Sequence, residues 1–431
     1  MPKLTEVCRQ INLKSLFIEK YFFILFSTIP ISIVAGASVS LINILLIDLS
    51  FLILIFLKKE WKTLLKYEVK IILLICLYLI FNSLISIDKS LGLMRNFGFI
   101  RILVFFCAAN YFFNKYENFS KILLVWLVII IFIMTDVYFE AYTGKNYLGN
   151  GNGDRIFSFF KDRAVVGGYL NSFYLMLIGY LLFNNKSKSV NKDNLVFFLS
   201  FAFLVAIIIT GERANAIKSI LGFSFFFIFV NSYSLKKKIY LLFLIIFTAS
   251  LIYSQSEFLQ LRYKHQLLNT INTKEKLEKA YSNNVYIALQ RSGVEVFKDN
   301  PIFGVGNKNY RQATCQSQEE RTTISGDRKN INKYYVCGFH PHQTYVELLA
   351  EHGLFGTLIL LSLFFVLIAR VLKKLIKSSN QTQLGCLSYI FVVFLPILPS
   401  GAFFGDYLVT LFWINISIMF SVNKDTNIFS R

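Results

Sequence analysis

The feature that most limits what this chain can fold into is a succession of apolar blocks, each about twenty residues long, running from residue 16 to residue 422. A helix of about twenty residues crosses the ~30 Å hydrocarbon core of a bilayer. Lipid offers no partners to backbone N–H and C=O groups, so each block must close its hydrogen bonds within itself, as a helix. Spans are expected at 16–35, 37–57, 69–87, 91–113, 119–139, 164–183, 195–211, 214–232, 238–254, 344–369, 384–403 and 406–422, about twelve in all. Only 16% of the residues are charged, where a soluble domain carries about a quarter. The expected fold class is an all-α membrane protein. Residues 1–254 would form an N-terminal bundle of about nine spans, 255–343 one large polar loop, and 344–431 a C-terminal group of about three spans.

A net charge of +20 would point to nucleic acid in a soluble chain. Here the lysines gather in short loops, where they set topology. Lys3, Arg9 and Lys14 precede the first span; Lys58, Lys59, Lys62 and Lys66 follow the second. Then come Lys115 and Lys121, Lys186, Lys188 and Lys192, Lys236 to Lys238, and Arg370, Lys373, Lys374 and Lys377. With twelve spans all of these fall on one side, which makes both termini cytoplasmic. Met1–Lys20 is mixed and charged, without the short apolar core and small-residue cleavage site of a secretory signal, so the first span is expected to stay as an anchor.

Three segments then face outward: the Gly/Asn-rich stretch Glu140–Arg163, the turn Gly211-Glu212-Arg213, and Gln255 to about Gln343. The last is too long and polar to be a simple connection. It has a mixed-charge helical pattern near Lys274–Ala280, a second helix expected over Asn284–Lys298, a turn at Asn300-Pro301 and a tight bend at Gly304 and Gly306. Cys8, Cys76, Cys107 and Cys386 lie in or beside apolar spans and read as inert packing residues. Cys315 and Cys337 both lie on the large loop, where an oxidising outside permits a disulfide without requiring one.

The chain has four histidines, and His340, His342 and His352 fall within HPHQTYVELLAEHGLFG, the stretch that closes the large loop and opens the tenth span. A histidine near neutral pKa can take a proton from a hydroxyl. Pro341 disfavours helix at His340 and suits a helix start, so His342 is expected on the first turn, at the outer mouth of the bundle. His340 reads as its solvated neighbour, and Glu351, Gly353 and Gly356 as packing support. Arginine holds phosphate oxygens in a bidentate fork. Arg213 stands at the tip of two spans, Arg155 and Arg163 edge the Gly/Asn stretch, and Arg291, Arg311, Arg321 and Arg328 lie on the large loop. Arg95 and Arg101 fall within the fourth span, where snorkelling is the competing reading. Asp48 lies mid-span, as a packing or proton-handling residue. There is no P-loop, dinucleotide fingerprint, H-E-x-x-H or Asp-x-Asp, so cationic side chains rather than a metal would have to hold a diphosphate.

Three segments carry a resemblance: TGERANA (Thr210–Ala216), VFKDNPIFGVGNKNYR (Val296–Arg311) and HPHQTYVELLAEHGLFG (His340–Gly356). The chain resembles the O-antigen ligase and polymerase superfamily of bacterial inner membranes. That family joins a Pro–Gly-x-Gly bend to a His-Asn-x-x-Leu…Glu-x-Gly-x-x-Gly helix start, in about twelve spans with one dominant, mostly helical periplasmic loop, a GT-C-like arrangement. The resemblance implies metal-independent, inverting transfer of a glycan from undecaprenyl diphosphate to a sugar of lipid A core, with no cofactor. His342 would match the general base and Arg213 the diphosphate-binding arginine, while Arg291, Arg311 and Arg163 are further candidates for the diphosphate. Gln343 stands where the family has Asn, and Val346 where it has Leu. A polymerase with a second glycan chain as acceptor is the nearest alternative; one large loop rather than two comparable ones favours the ligase. A lipid-linked glycan flippase is the reading from another class; the one-sided charge and the lack of an internal repeat count against it.

Overall fold

The structure, a computed structural model, describes residues 17–151, 155–161, 163–184, 190–230, 233–255, 260, 284–315 and 335–430. Cys8, Lys3, Arg9, Lys14, Lys186, Lys188, the Lys274–Ala280 pattern, Arg321 and Arg328 lie outside the described residues. The helices that matter here are α1 (Phe17–Ala35), α2 (Ala37–Lys58), α3 (Tyr67–Leu84), α4 (Lys89–Phe97), α5 (Ile100–Lys115), α6 (Ile122–Thr143), α7 (Val166–Asn184), α8 (Val190–Ile209), α9 (Arg213–Phe229), α10 (Leu235–Gln255), α11 (Val285–Asp299), α12 (Thr344–Ser378), α13 (Gln381–Val393) and α14 (Asp406–Ser421). Each expected span overlaps a helix, the one at 91–113 being divided between α4 and α5 at Gly98 and Phe99. Among the described residues, however, eight rather than twelve helical stretches are long and apolar enough to cross a membrane, with α13 and α14 as shorter apolar helices. The expected span 384–403 stops early because Pro396 and Pro399 follow α13 and cannot continue its hydrogen bonds.

The bundle is built around α7, which packs against α6, α8, α9, α13 and α14. Its closest partner is α13. A Cβ on Gly179 would lie 2.1 Å from the Gln381 carbonyl oxygen, and one on Gly385 would lie 2.1 Å from that of Leu175. Lipid supplies no hydrophobic drive between helices, so small residues that let backbones touch are what hold them together. Side-chain hydrogen bonds add to this contact: Asn415 Nδ2 donates to Ser172 O at 2.9 Å, and Trp126 Nε1 to Phe26 O at 2.8 Å.

One end of the bundle collects the lysine-bearing turns. Lys58 Nζ and Lys115 Nζ both donate to Tyr111 Oη, at 3.0 and 2.8 Å, and Arg370 pairs with Glu68 at 2.7 Å. At the other end Arg101 and Arg95 pair with Asp406 at 2.8 and 3.5 Å, tying α4 and α5 to the start of α14. Those two arginines therefore already have a structural role. The end that holds Asp406 is also where α12 begins and where the candidate site lies.

Candidate functional site

The start of α12 and the bend Pro301–Asn307 form one hydrogen-bonded unit. Gly353 interrupts α12 with φ 63° and ψ −172°. In an unbroken helix, Leu354 N–H would bond Ala350 O, and Phe355 N–H would bond Glu351 O. Here the bend takes all four groups. Leu354 N–H donates to Pro301 O at 2.8 Å and Phe355 N–H to Ile302 O at 3.1 Å, while Ala350 O accepts from Val305 N–H at 3.0 Å and Glu351 O from Gly306 N–H at 2.9 Å. Unpaired in a membrane interior, each such group would cost several kcal/mol, on the order of the loss of a hydrogen bond to hydrocarbon. The Gly-x-Gly bend and the Glu-x-Gly helix start are thus two halves of one joint. Its glycines leave no room: a Cβ on Gly353 would lie 2.3 Å from Ile302 C, and one on Gly304 2.4 Å from Glu351 C.

Asparagines anchor the joint to α3 and α4. Asn82 accepts from Asn307 N–H at 2.7 Å and donates to Phe303 O at 3.1 Å; Asn309 accepts from Asp88 N–H at 2.7 Å. Asn82, Asn96, Asn307 and Asn309 are all buried. Glu351 is buried as well and its Oε1 accepts from Tyr310 N–H at 3.3 Å. His352 does not sit at the outer edge with the other two histidines. It is fully buried, its ring 5.7 Å from Tyr78 and 5.4 Å from Phe404, because the helix carries it one position past Glu351 onto the inward face.

His342 lies just before α12 rather than on its first turn. Gln343 is the N-cap, its side chain accepting from Val346 N–H at 2.7 Å. A polar side chain here satisfies one of the free amides of the helix start. His342 itself has φ 56°, a left-handed conformation that costs a non-glycine residue about 1 kcal/mol or more. Its neighbours hold it there: its N–H donates to His340 Nδ1 at 3.1 Å and its carbonyl accepts from Ser400 N–H at 3.0 Å. The two imidazoles lie 3.9 Å apart and Tyr286 of α11 meets His342 edge-on at 5.0 Å. Burial holds the His342 pKa below the ordinary 6.5. Burial, then the His342 and Lys308 charges, push His340 down to about 3. Both rings are neutral at pH 7, the form that accepts a proton.

α11 covers this edge. Asn284 caps it by accepting from Tyr286 N–H at 2.9 Å, and Gly293 lets it settle on Pro341 and Val346. Arg291 is half-buried on the same helix. Arg311 is exposed, with its guanidinium 4.3 Å from the centre of the Phe339 ring. Cys315 and Cys337 form a disulfide, with Cα atoms 4.5 Å apart, which joins the segments that follow Arg311 and precede Phe339.

A second group of segments meets beside it. Glu212 sits at the N-terminus of α7, accepting from Gly167 N–H at 2.7 Å, Gly168 N–H at 3.3 Å and Asn215 Nδ2 at 2.6 Å. An anion suits the unpaired amides of a helix start, although burial raises the Glu212 pKa to about 7. Arg213 follows as the first residue of α9. Lys218 Nζ donates to Pro399 O at 2.9 Å, and Tyr407 Oη to Val165 O at 3.1 Å, two residues from the exposed Arg163. The segment 399–407 therefore runs from His342, bound to Ser400, to the Arg163 and Arg213 segments, with at most about 29 Å of extended chain between its ends.

A cavity of about 1140 Å³ opens against the far end of that segment. Its walls are apolar residues of α1, α2 and α6, and its charged residues are Arg101, Lys161, Arg163 and Asp406. The lining suits an apolar chain with a charged head. Sequence reasoning passed over Tyr286, Lys308, Glu347, Ser400 and the buried asparagines. A lone Asn82 inside an otherwise apolar helix was the one signal that could have marked the joint. Residues 197–361 match a family model described as O-antigen ligase. That range includes Arg213, Arg291, Arg311, His342 and Glu351 and leaves out Arg163. No curated protein gives a significant match to the chain.

Proposed function

Taking as premise that the match supports assigning this chain to the O-antigen ligase family, which covers ligases and polymerases, we propose that it transfers a glycan from undecaprenyl diphosphate to a sugar hydroxyl of lipid A core. The observation that carries the reading is His342: half-buried, held at its N–H and its carbonyl by hydrogen bonds, and placed immediately before α12. In this mechanism the acceptor hydroxyl gives its proton to His342. The freed oxygen attacks the anomeric carbon of the donor sugar and forms the new glycosidic bond as the bond to diphosphate breaks. A single displacement inverts that carbon. The departing diphosphate gains charge, and cations already in position lower the barrier. Arg213, Arg291, Arg311 and Arg163 supply them, with His340 and Glu351 supporting the base from behind.

The cavity that holds Arg163 at its rim takes the start of the prenyl chain. The reaction needs no metal. The active edge faces the periplasm, the lysine-rich end the cytoplasm, in a bacterial inner membrane. A polymerase would use the same chemistry with a second lipid-linked glycan as acceptor.

His342→Ala should lower transfer about 10³-fold, within the range for loss of a general base, while the amount of folded protein stays normal; undiminished transfer would sink the assignment. The rate should hold at pH 7 and fall about tenfold per pH unit below the lowered His342 pKa, hence below 6.5. Full activity in the presence of chelator is expected, and its loss would refute the metal-free mechanism. Disruption of the gene, read on a lipopolysaccharide gel, separates the acceptors. Core without polymer, with lipid-linked polymer accumulating, means ligase; a single repeat unit on core means polymerase.

A further inference from the structure

Lys308 follows the Gly-x-Gly bend in a left-handed conformation, φ 64°, and brings its ammonium to 4.0 Å from Glu347 Oε1. The lysine side chain is 21% exposed and the glutamate 1%. Glu347 and Glu351 lie on the first turns of α12, His352 just beyond them, and His340 on the segment that leads in. Both oxygens of Glu347 accept from Phe403 N–H, at 3.0 and 2.9 Å. Three residues earlier on the same segment, Ser400 N–H donates to His342 O at 3.0 Å, and Ser400 Oγ lies 3.1 Å from Thr344 Oγ1.

We propose that Lys308 and Glu347 are positioning residues: a buried charge pair that clamps the 400–403 segment and through it fixes His342. A buried carboxylate stays ionised only beside a compensating cation, and an ionised acceptor holds the Phe403 amide more strongly than a neutral one. Lys308 supplies that cation from the bend, so the joint at Gly353 and the placement of His342 become one mechanical unit. Two non-glycine residues with positive φ, Lys308 and His342, stand at its two ends. Such strain persists where the surroundings over-determine the backbone. This inference rests on the reading of His342 as the base.

The test uses full-length protein in lipid nanodiscs with a lipid-linked glycan donor, measuring kcat and KM across pH. Glu347→Gln and Lys308→Met should each lower kcat about 10- to 100-fold, the cost of a misplacement near 1 Å, with donor KM within about twofold of wild type. Lys308→Arg should keep most of the activity. The double variant Lys308→Met/Glu347→Gln, which leaves no lone buried charge, should be more active than either single variant. Unchanged kcat in the singles, or a double variant as poor as the product of the two, would overturn the clamp. A rise in KM at constant kcat would overturn it too, by making Lys308 a cation that touches substrate. His342→Ala is run alongside: if it stays active the base assignment fails, whereas if it is inactive and the clamp variants are normal, only the clamp fails. Should Glu347→Gln not fold, the Lys308 variants, which leave the Glu347 carboxyl itself in place, decide the matter.

Discussion

The contact between α7 and α13 and the joint between the 301–307 bend and α12 hold helices together by opposite means. At the first, Gly179 and Gly385 let two unbroken helices approach until backbone meets backbone. Both helices keep regular helical geometry there, so the contact rests on shape. At the second, α12 leaves helical geometry at Gly353, and four backbone groups must find partners in another segment. Shape is not enough at the joint; each hydrogen bond has to be met by a named residue. The difference explains why the candidate catalytic edge adjoins the joint. An irregular backbone held from several sides can keep His342 at φ 56°, which a regular helix cannot do.

This contrast can be broken or sharpened by substitution. The largest effect is expected for Gly353→Val, which meets the Ile302 carbonyl and a forbidden φ at once. It should cost more than about 4 kcal/mol and leave little folded protein on size-exclusion chromatography in detergent; a normal yield would mean the bend is not locked to the helix. Asn82→Leu strips partners from Asn307 N–H and Phe303 O and should cost about 2–3 kcal/mol in thermal unfolding, the penalty of leaving buried groups unpaired. Gly179→Ala at the α7–α13 contact forces only a small separation of two intact helices and should cost about 1–3 kcal/mol by overpacking. If it proves worse than Asn82→Leu, the contrast between shape and pairing fails. Gln343→Ala removes the α12 cap and should cost about 1 kcal/mol, with a drop in transfer rate because His342 is the next residue. Arg95→Ala loses only a half-exposed ion pair at 3.5 Å and should change stability by less than about 0.5 kcal/mol.

How much of this was legible beforehand differs between the two regions. Most helices were, to within a few residues: α11 was expected over 284–298 and runs Val285–Asp299, and α14 was expected over 406–422 and runs Asp406–Ser421, whereas the span expected at 384–403 ends at Val393 and the one at 344–369 runs on to Ser378. The site was legible in pieces. His342 and the bend glycines stood out by type and spacing, whereas nothing in the sequence singled out Lys308 or Glu347. Asn82 and Phe303, bonded side by side, lie 221 positions apart in the chain. Nothing local announces such a pairing. The place of His352 is decided the same way: in sequence it follows the carboxylate of Glu351, and its neighbours in space are Tyr78 and Phe404.

What the sequence determined by itself was the medium and the secondary structure. A block of about twenty apolar residues in lipid has no choice but to bond within itself, and that requirement is local. What only the tertiary structure decided was which segment completes the break in α12, which histidine remains at the mouth, and which charges face each other behind it. Those depend on partners brought from distant parts of the chain. A broken helix carries exactly as many orphaned backbone groups as the rest of the fold can reach and satisfy, and here the bend at 301–306 reaches all four.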